Sequence, residues 1–148
     1  MKWFLALMLI LAVPAGAAEP HNPAYDASLA RKLGADGHGM KMYALVLLKS
    51  GSHDNLSKEA LTRAFAGHMA NIKRLAATGQ LVFAGPLEKN ERYEGIFVFN
   101  VATIAEADAL LATDPAVQAG ALVGEVYQLY GSAALQQIPA LHHRISQE

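Results

Sequence analysis

Between Met40 and Leu48 the chain alternates Met42, Ala44, Val46 and Leu48 with Tyr43, Leu45 and Leu47, so a strand here offers apolar side chains on both faces. A Ser/Gly/Asp/Asn-rich stretch from Ser50 to Leu56 breaks that period. From Lys58 to about Thr78 the period changes to that of a helix, with Leu61, Phe65, His68, Ile72 and Leu75 recurring at spacings of four and three. Ser57 is placed to cap this helix, and Glu59 suits the positive end of its dipole. Gly79 supplies a stop, Leu81 to Ala84 reads as a second strand, and Gly85-Pro86 reads as the turn that closes it.

A charged turn, Glu88 to Glu94, precedes Gly95 to Val101, where Ile96, Val98 and Asn100 alternate with Phe97, Phe99 and Val101 as a third strand. Thr103-Ile104-Ala105-Glu106 is a capping box, and the helix it opens runs to about Thr113. Pro115 to Ala119 suits a short helical turn, and Leu122 to Tyr130 reads as a fourth strand. The order strand-helix-strand-strand-helix-strand is that of a ferredoxin-like α+β fold, a four-stranded antiparallel sheet with two helices on one face. Strands that are apolar on both faces leave the second face in need of a cover. A second subunit is the economical answer in so short a chain, which makes a homodimer the expectation.

The ends carry a different pattern. Lys2 precedes a wholly apolar run from Trp3 to Val13, followed by Pro14 and by the small residues Ala15-Gly16-Ala17-Ala18, the arrangement of a cleaved signal peptide over 1–18. Eleven apolar residues fall short of the roughly 20 that span a bilayer. A periplasmic or secreted protein is therefore expected, with no membrane attachment after cleavage. Residues 19–39 read as an arm and linker with one short helix, Ala24 to Leu33, residues 40–131 as the domain, and residues 132–148 as a tail that packs on it.

Composition removes several classes of function. The 148 residues contain no cysteine, which excludes thiol nucleophiles, disulfides and cysteine-ligated metal. Loss of the leader takes Lys2 away and leaves 11 basic residues against 13 acidic ones, without a basic stripe that would suit nucleic acid. His21, His38, His53, His142 and His143 show no metal-ligand spacing, so no metal is expected. Ser50, Ser52, Ser57 and Ser132 stand in loops or caps without a nucleophile motif, there is no phosphate-cradling glycine loop, and no cofactor is expected.

The chemistry that remains centres on His68, a titratable residue inside an apolar stripe. A buried imidazole must be hydrogen-bonded, and a carboxylate brought to one ring nitrogen would fix the tautomer that leaves the other nitrogen able to take a proton. Asp114 is the candidate partner. Asp before Pro is equally the pair expected where a carboxylate caps a short helix, and the two roles are compatible because a carboxylate has about four acceptor sites. Gly85 and Pro86 are candidate ligand-binding positions, since bare backbone there allows a close approach. Tyr43, Phe97 and Phe99 are candidates to line a cleft, although strand aromatics commonly serve the core.

Taken in order, Gly67-His68-Met69-Ala70-Asn71-Ile72, Gly79 to Pro86, Gly95-Ile96-Phe97-Val98 and Asp114 to Gly120 resemble the YCII-related proteins, a family within the dimeric α+β barrels. The likeness covers about Tyr43 to Tyr130. It implies a ferredoxin-like subunit whose sheet packs on its twin, with a cleft that holds a histidine and an aspartate, here His68 and Asp114. Members include a dehydrochlorinase of chlorinated hydroxyquinol breakdown. Many relatives carry an arginine three residues before the histidine, where this chain has Phe65, and Arg63 is the nearest basic residue. Two readings follow: a cofactor-free acid/base enzyme, an isomerase or a lyase of dehydrochlorinase type, acting on a small cyclic or phenolic molecule; or a non-catalytic module that binds a small ligand or serves as a structural dimer. The first requires His68 and Asp114 to touch.

Overall fold

The computed structural model describes residues 22–52, 54–88 and 91–147. The predicted leader, His21 and His53 lie outside them. Along the chain come α1 (Ala27–Leu33), β1 (Met40–Ser50), α2 (Lys58–Ala77), β2 (Leu81–Pro86), β3 (Gly95–Phe99), α3 (Ile104–Leu111), α4 (Pro115–Gln118), β4 (Leu122–Ser132), a 3-10 turn (Ala133–Gln137) and α5 (Ile138–Ile145). The four strands form one antiparallel sheet in the order β2-β3-β1-β4, which with α2 and α3 gives the ferredoxin-like α+β arrangement. None of the described helices is long and apolar enough to cross a membrane.

Local chemistry accounts for the helix starts. Ser57 Oγ accepts from the amide of Ala60 at the head of α2, and Thr103 and Glu106 exchange both bonds of a capping box at the head of α3. Thr78 is the C-cap of α2, and Gly79 follows at φ 71°, a left-handed angle that suits glycine. Ala44, Val46 and Leu48 of β1, Phe97 and Phe99 of β3, and Leu81 of β2 project to the helix side and meet Leu75, Ala107 and Leu111 in the main core. Full burial of one ring such as Phe99 is worth roughly 1.5–3 kcal/mol.

The structure moves several expected boundaries. Gly85 and Pro86 continue β2 and pair with Ile96 and Gly95, so they form strand and not the expected turn. A proline is tolerated there because β2 is an edge strand, and the missing amide costs no ladder bond on the outer side. β3 stops at Phe99, two residues early, where Asn100 turns its amide to the Gln80 carbonyl. Along α2 the buried line runs through Ala64, Asn71 and Leu75, while Phe65 is 40 % exposed on the flank. The inward stripe is thus rotated toward smaller and more polar residues than hydrophobicity alone selects. Tyr43, a candidate for the cleft, points to the other sheet face and is wholly buried with Val82 and Val98.

That second face is partly covered by the chain itself. After β4 the 3-10 turn carries Leu135 across Tyr43, Val82 and Val98, and α5 continues to the outer edge of β2. The Tyr43 hydroxyl donates to the Ser132 carbonyl under this crossing, 3.0 Å away. The other end of the face stays open, with Val123 and Tyr127 about half exposed.

The linker before β1 is held by Asp36, whose carboxylate accepts from the Tyr130 hydroxyl and from the amides of His38 and Met40. The Tyr130 bond, followed by the two amides, holds this carboxyl below its ordinary value of 3.8. A depressed carboxyl stabilises the fold above its unfolded value and loses that contribution as pH falls through the folded one. Urea titrations should therefore show a smaller loss of stability between neutral pH and pH ~3 in Asp36→Asn than in the parent chain.

Candidate functional site

His68 and Asp114 come together by a crossing of α2 and α4. Gly67 makes the crossing possible: a Cβ at that position would lie 2.8 Å from both Cβ and Cγ of Pro115, so only a bare backbone lets the proline seat against the helix. Pro115 is the first residue of α4, and Asp114 is its N-cap, with Oδ1 accepting from the Ala116 amide at 2.8 Å. The cap fixes the carboxylate and leaves Oδ2 free to accept from His68 Nδ1 at 2.7 Å. Cap and partner are thus both served by one side chain that is 1 % exposed.

The ring of His68 is held on its other sides by aromatic contacts. It stacks on Phe97 with centroids 5.6 Å apart and planes 26° from parallel, and Phe65 meets its edge at 6.0 Å. Phe65 thus packs on the imidazole, while Arg63, the nearest basic residue before it, is exposed. A second polar contact zips α2 to the loop before α4. Asn71 Oδ1 accepts from Arg74 at 2.6 Å and from the Thr113 hydroxyl at 3.3 Å, one helical turn beyond His68. Sequence reasoning passed over Asn71 and Thr113; the available signal was a polar residue three positions after His68, directly on the buried line of α2.

This arrangement defines the ring chemistry. A carboxylate beside Nδ1 accepts, so in the neutral ring Nδ1 is the protonated nitrogen and Nε2 the one with the lone pair. Among the described residues no buried side-chain nitrogen or oxygen lacks a partner; Nε2, which has none, therefore reaches solvent through a side chain that is 12 % exposed. The two ring nitrogens diverge. With Nδ1 turned to Asp114, Nε2 is directed away from that carboxylate. A base able to accept a proton, oriented by a buried carboxylate and stacked on an aromatic floor, is what general acid/base work requires.

Of the remaining candidates, Phe97 lies beneath the imidazole and Phe99 is wholly buried in the core. Gly85 sits opposite Ile96, on the sheet face away from His68, and Pro86 is exposed at the strand's end. Neither makes a hydrogen bond or ring contact with His68, whose partners are Asp114, Phe65 and Phe97.

The model of the YCII-related domain matches residues 42–130, which contain His68, Asp114, Gly67 and the whole sheet apart from its outermost strand ends. The chain belongs to the YCII-related family. No curated protein matches it. Among solved structures, it is similar to the 5-chloro-2-hydroxyhydroquinone dehydrochlorinase of Burkholderia phenoliruptrix in complex with 2,5-dihydroxybenzoquinone, at 15 % identity and a TM-score of 0.41, over 59 % of this chain and 91 % of that one. In this YCII-related protein α1 and α5 both lie beyond the family match.

Proposed function

We propose that this YCII-related protein is a cofactor-free acid/base enzyme in which His68 moves a proton and Asp114 orients it, acting on a small cyclic or phenolic molecule. The observation that carries the reading is the 2.7 Å contact from Nδ1 to a buried carboxylate combined with an Nε2 that meets solvent. A purely ligand-binding or structural module needs no such contact. In an elimination of dehydrochlorinase type, Nε2 takes the hydrogen as a proton, the electron pair of the broken bond becomes the new double bond, and chloride leaves with its own pair. In an isomerisation the imidazolium returns the proton to a different atom. Asp114 offsets the positive charge the ring acquires in either case.

The wild-type chain, incubated in heavy water with chlorinated hydroquinones, hydroxyquinols and their unchlorinated parents, should release chloride from one member or exchange a carbon-bound hydrogen faster than buffer does. Chloride assays and proton NMR give the answer. Background rates across the whole panel would sink the enzymatic reading.

The same proposal includes a homodimer and export. The dimer is supported by the open end of the second sheet face, where Leu45, Leu47, Ile96, Val123 and Tyr127 are uncovered or only half covered. Leu47→Asp is expected to shift sedimentation from a dimer to a monomer; a wild-type monomer at high concentration would remove this part of the proposal. Export is supported by the leader pattern of residues 1–18, and the mass of the protein recovered outside the cytoplasm tests it.

A further inference from the structure

A groove of about 180 Å³ runs between the second half of α2, the edge strand β2 and α5, walled by Ile72, Ala76, Phe83, Ala84, Ile138 and His142. We propose that it binds a single-ring aromatic compound bearing a hydroxyl, with α5 as its outer wall and His142 as its polar contact. Size sets the class, since an enclosed apolar cavity of about 150 Å³ is known to accept benzene, and this half-open groove has the volume of one substituted ring. Lining sets the chemistry. The side chains named are apolar except for His142, whose imidazole can accept from a hydroxyl, and Phe83 offers an aromatic face for offset stacking.

The groove neighbours the candidate site, although His68 is not among the residues that wall it. Ile72 stands one helical turn beyond His68, and Ala84 pairs across the ladder with Phe97, the ring on which His68 stacks. Ile72 and Ala84 also pack against the same core that holds Phe97. Ile138 and His142 belong to α5, outside the family match at 42–130, so ring selection in this chain is assigned to residues the family domain does not contain. That a ring in the groove presents its hydrogen to His68 rests on the enzymatic reading; the binding itself does not.

Methyl NMR of the full chain titrated with phenol and, separately, with toluene tests the proposal. Phenol should shift the methyls of Ile72, Ala84 and Ile138 in a saturable way and bind more tightly than toluene. His142→Ala is expected to weaken phenol by about three- to tenfold, the worth of one hydrogen bond, and to leave toluene unchanged. Ala76→Phe should fill the groove and abolish both titrations, and Ile138→Ser provides a second, milder variant that should weaken both. Absence of saturable shifts at these methyls, or phenol binding that is indifferent to all three substitutions, overturns the site. Phenol binding without turnover of any compound would overturn the enzymatic reading and leave the groove standing. Turnover by the wild-type chain without saturable phenol shifts at these methyls would do the reverse.

Discussion

Asp114→Asn is expected to lower turnover by about 10⁴-fold, the order observed when the orienting carboxylate of a serine-protease triad becomes an amide, while folding stability stays within roughly 1 kcal/mol because Asn caps a helix as well as Asp does. The two oxygens of Asp114 have separate jobs. Oδ1 holds the Ala116 amide, and Oδ2 holds His68 Nδ1. In the amide the carbonyl oxygen can keep the cap, which turns the NH₂ toward the imidazole. A donor facing Nδ1 demands an acceptor there, so the ring adopts the opposite tautomer and Nε2 carries the proton it was meant to take. His68→Gln should abolish turnover outright with the fold intact, since no other titratable group touches the imidazole among the described residues.

The measurements are kcat, a urea melt, and the nitrogen shifts of His68, which report the tautomer directly. A variant with the reversed tautomer and undiminished turnover would eliminate His68 as the base. One that unfolds readily while its remaining folded fraction turns over normally would show that Asp114 serves only its cap. Asp114→Ala completes the comparison, because it removes both jobs and should combine a lost cap, worth about 0.5–2 kcal/mol, with the loss of orientation.

Legibility in the sequence followed the range of the physics involved. Caps are decided within a few residues, and Ser57, Thr103 with Glu106, and Asp114 were each readable as such and cap helices in the structure. Period-two alternation in Tyr43 to Leu48 and Gly95 to Phe99 likewise placed two central strands. What escaped depends on the sheet's arrangement. Pro86 looks like a turn until β2 is known to be an edge, and Phe65 looks buried until α2 is known to press Ala64 and Asn71 inward. The path of the tail is of the same kind: Leu135 and Ile138 read only as apolar residues, and their positions over Tyr43 and along β2 are set by a crossing of the whole sheet. For the site, residue types suggested His68 and Asp114, but only the crossing of α2 and α4 decides that they meet.

Gly67 is where that crossing is decided, and Gly67→Ala is expected to damage function far more than stability. The added Cβ would start 2.8 Å from two atoms of a rigid proline ring, whereas ordinary contact begins near 3.4 Å, so α4 must retreat by about 0.6 Å. Asp114, as the N-cap of α4, retreats with it. The 2.7 Å contact with Nδ1 then lengthens beyond the range of a good hydrogen bond. Stability feels two opposing terms: overpacking costs about 1–3 kcal/mol, and replacing glycine by alanine inside a helix returns about 1 kcal/mol. The net loss should stay below about 2 kcal/mol, with turnover down by about 10²-fold, as expected for a misplacement of this size. Placing Gly at position 115 in the same chain removes both clashing atoms and should bring turnover back, although the fold then loses the proline that suits a first helical position. If Gly67→Ala alone keeps full turnover, the close approach of the two helices is not what positions the pair.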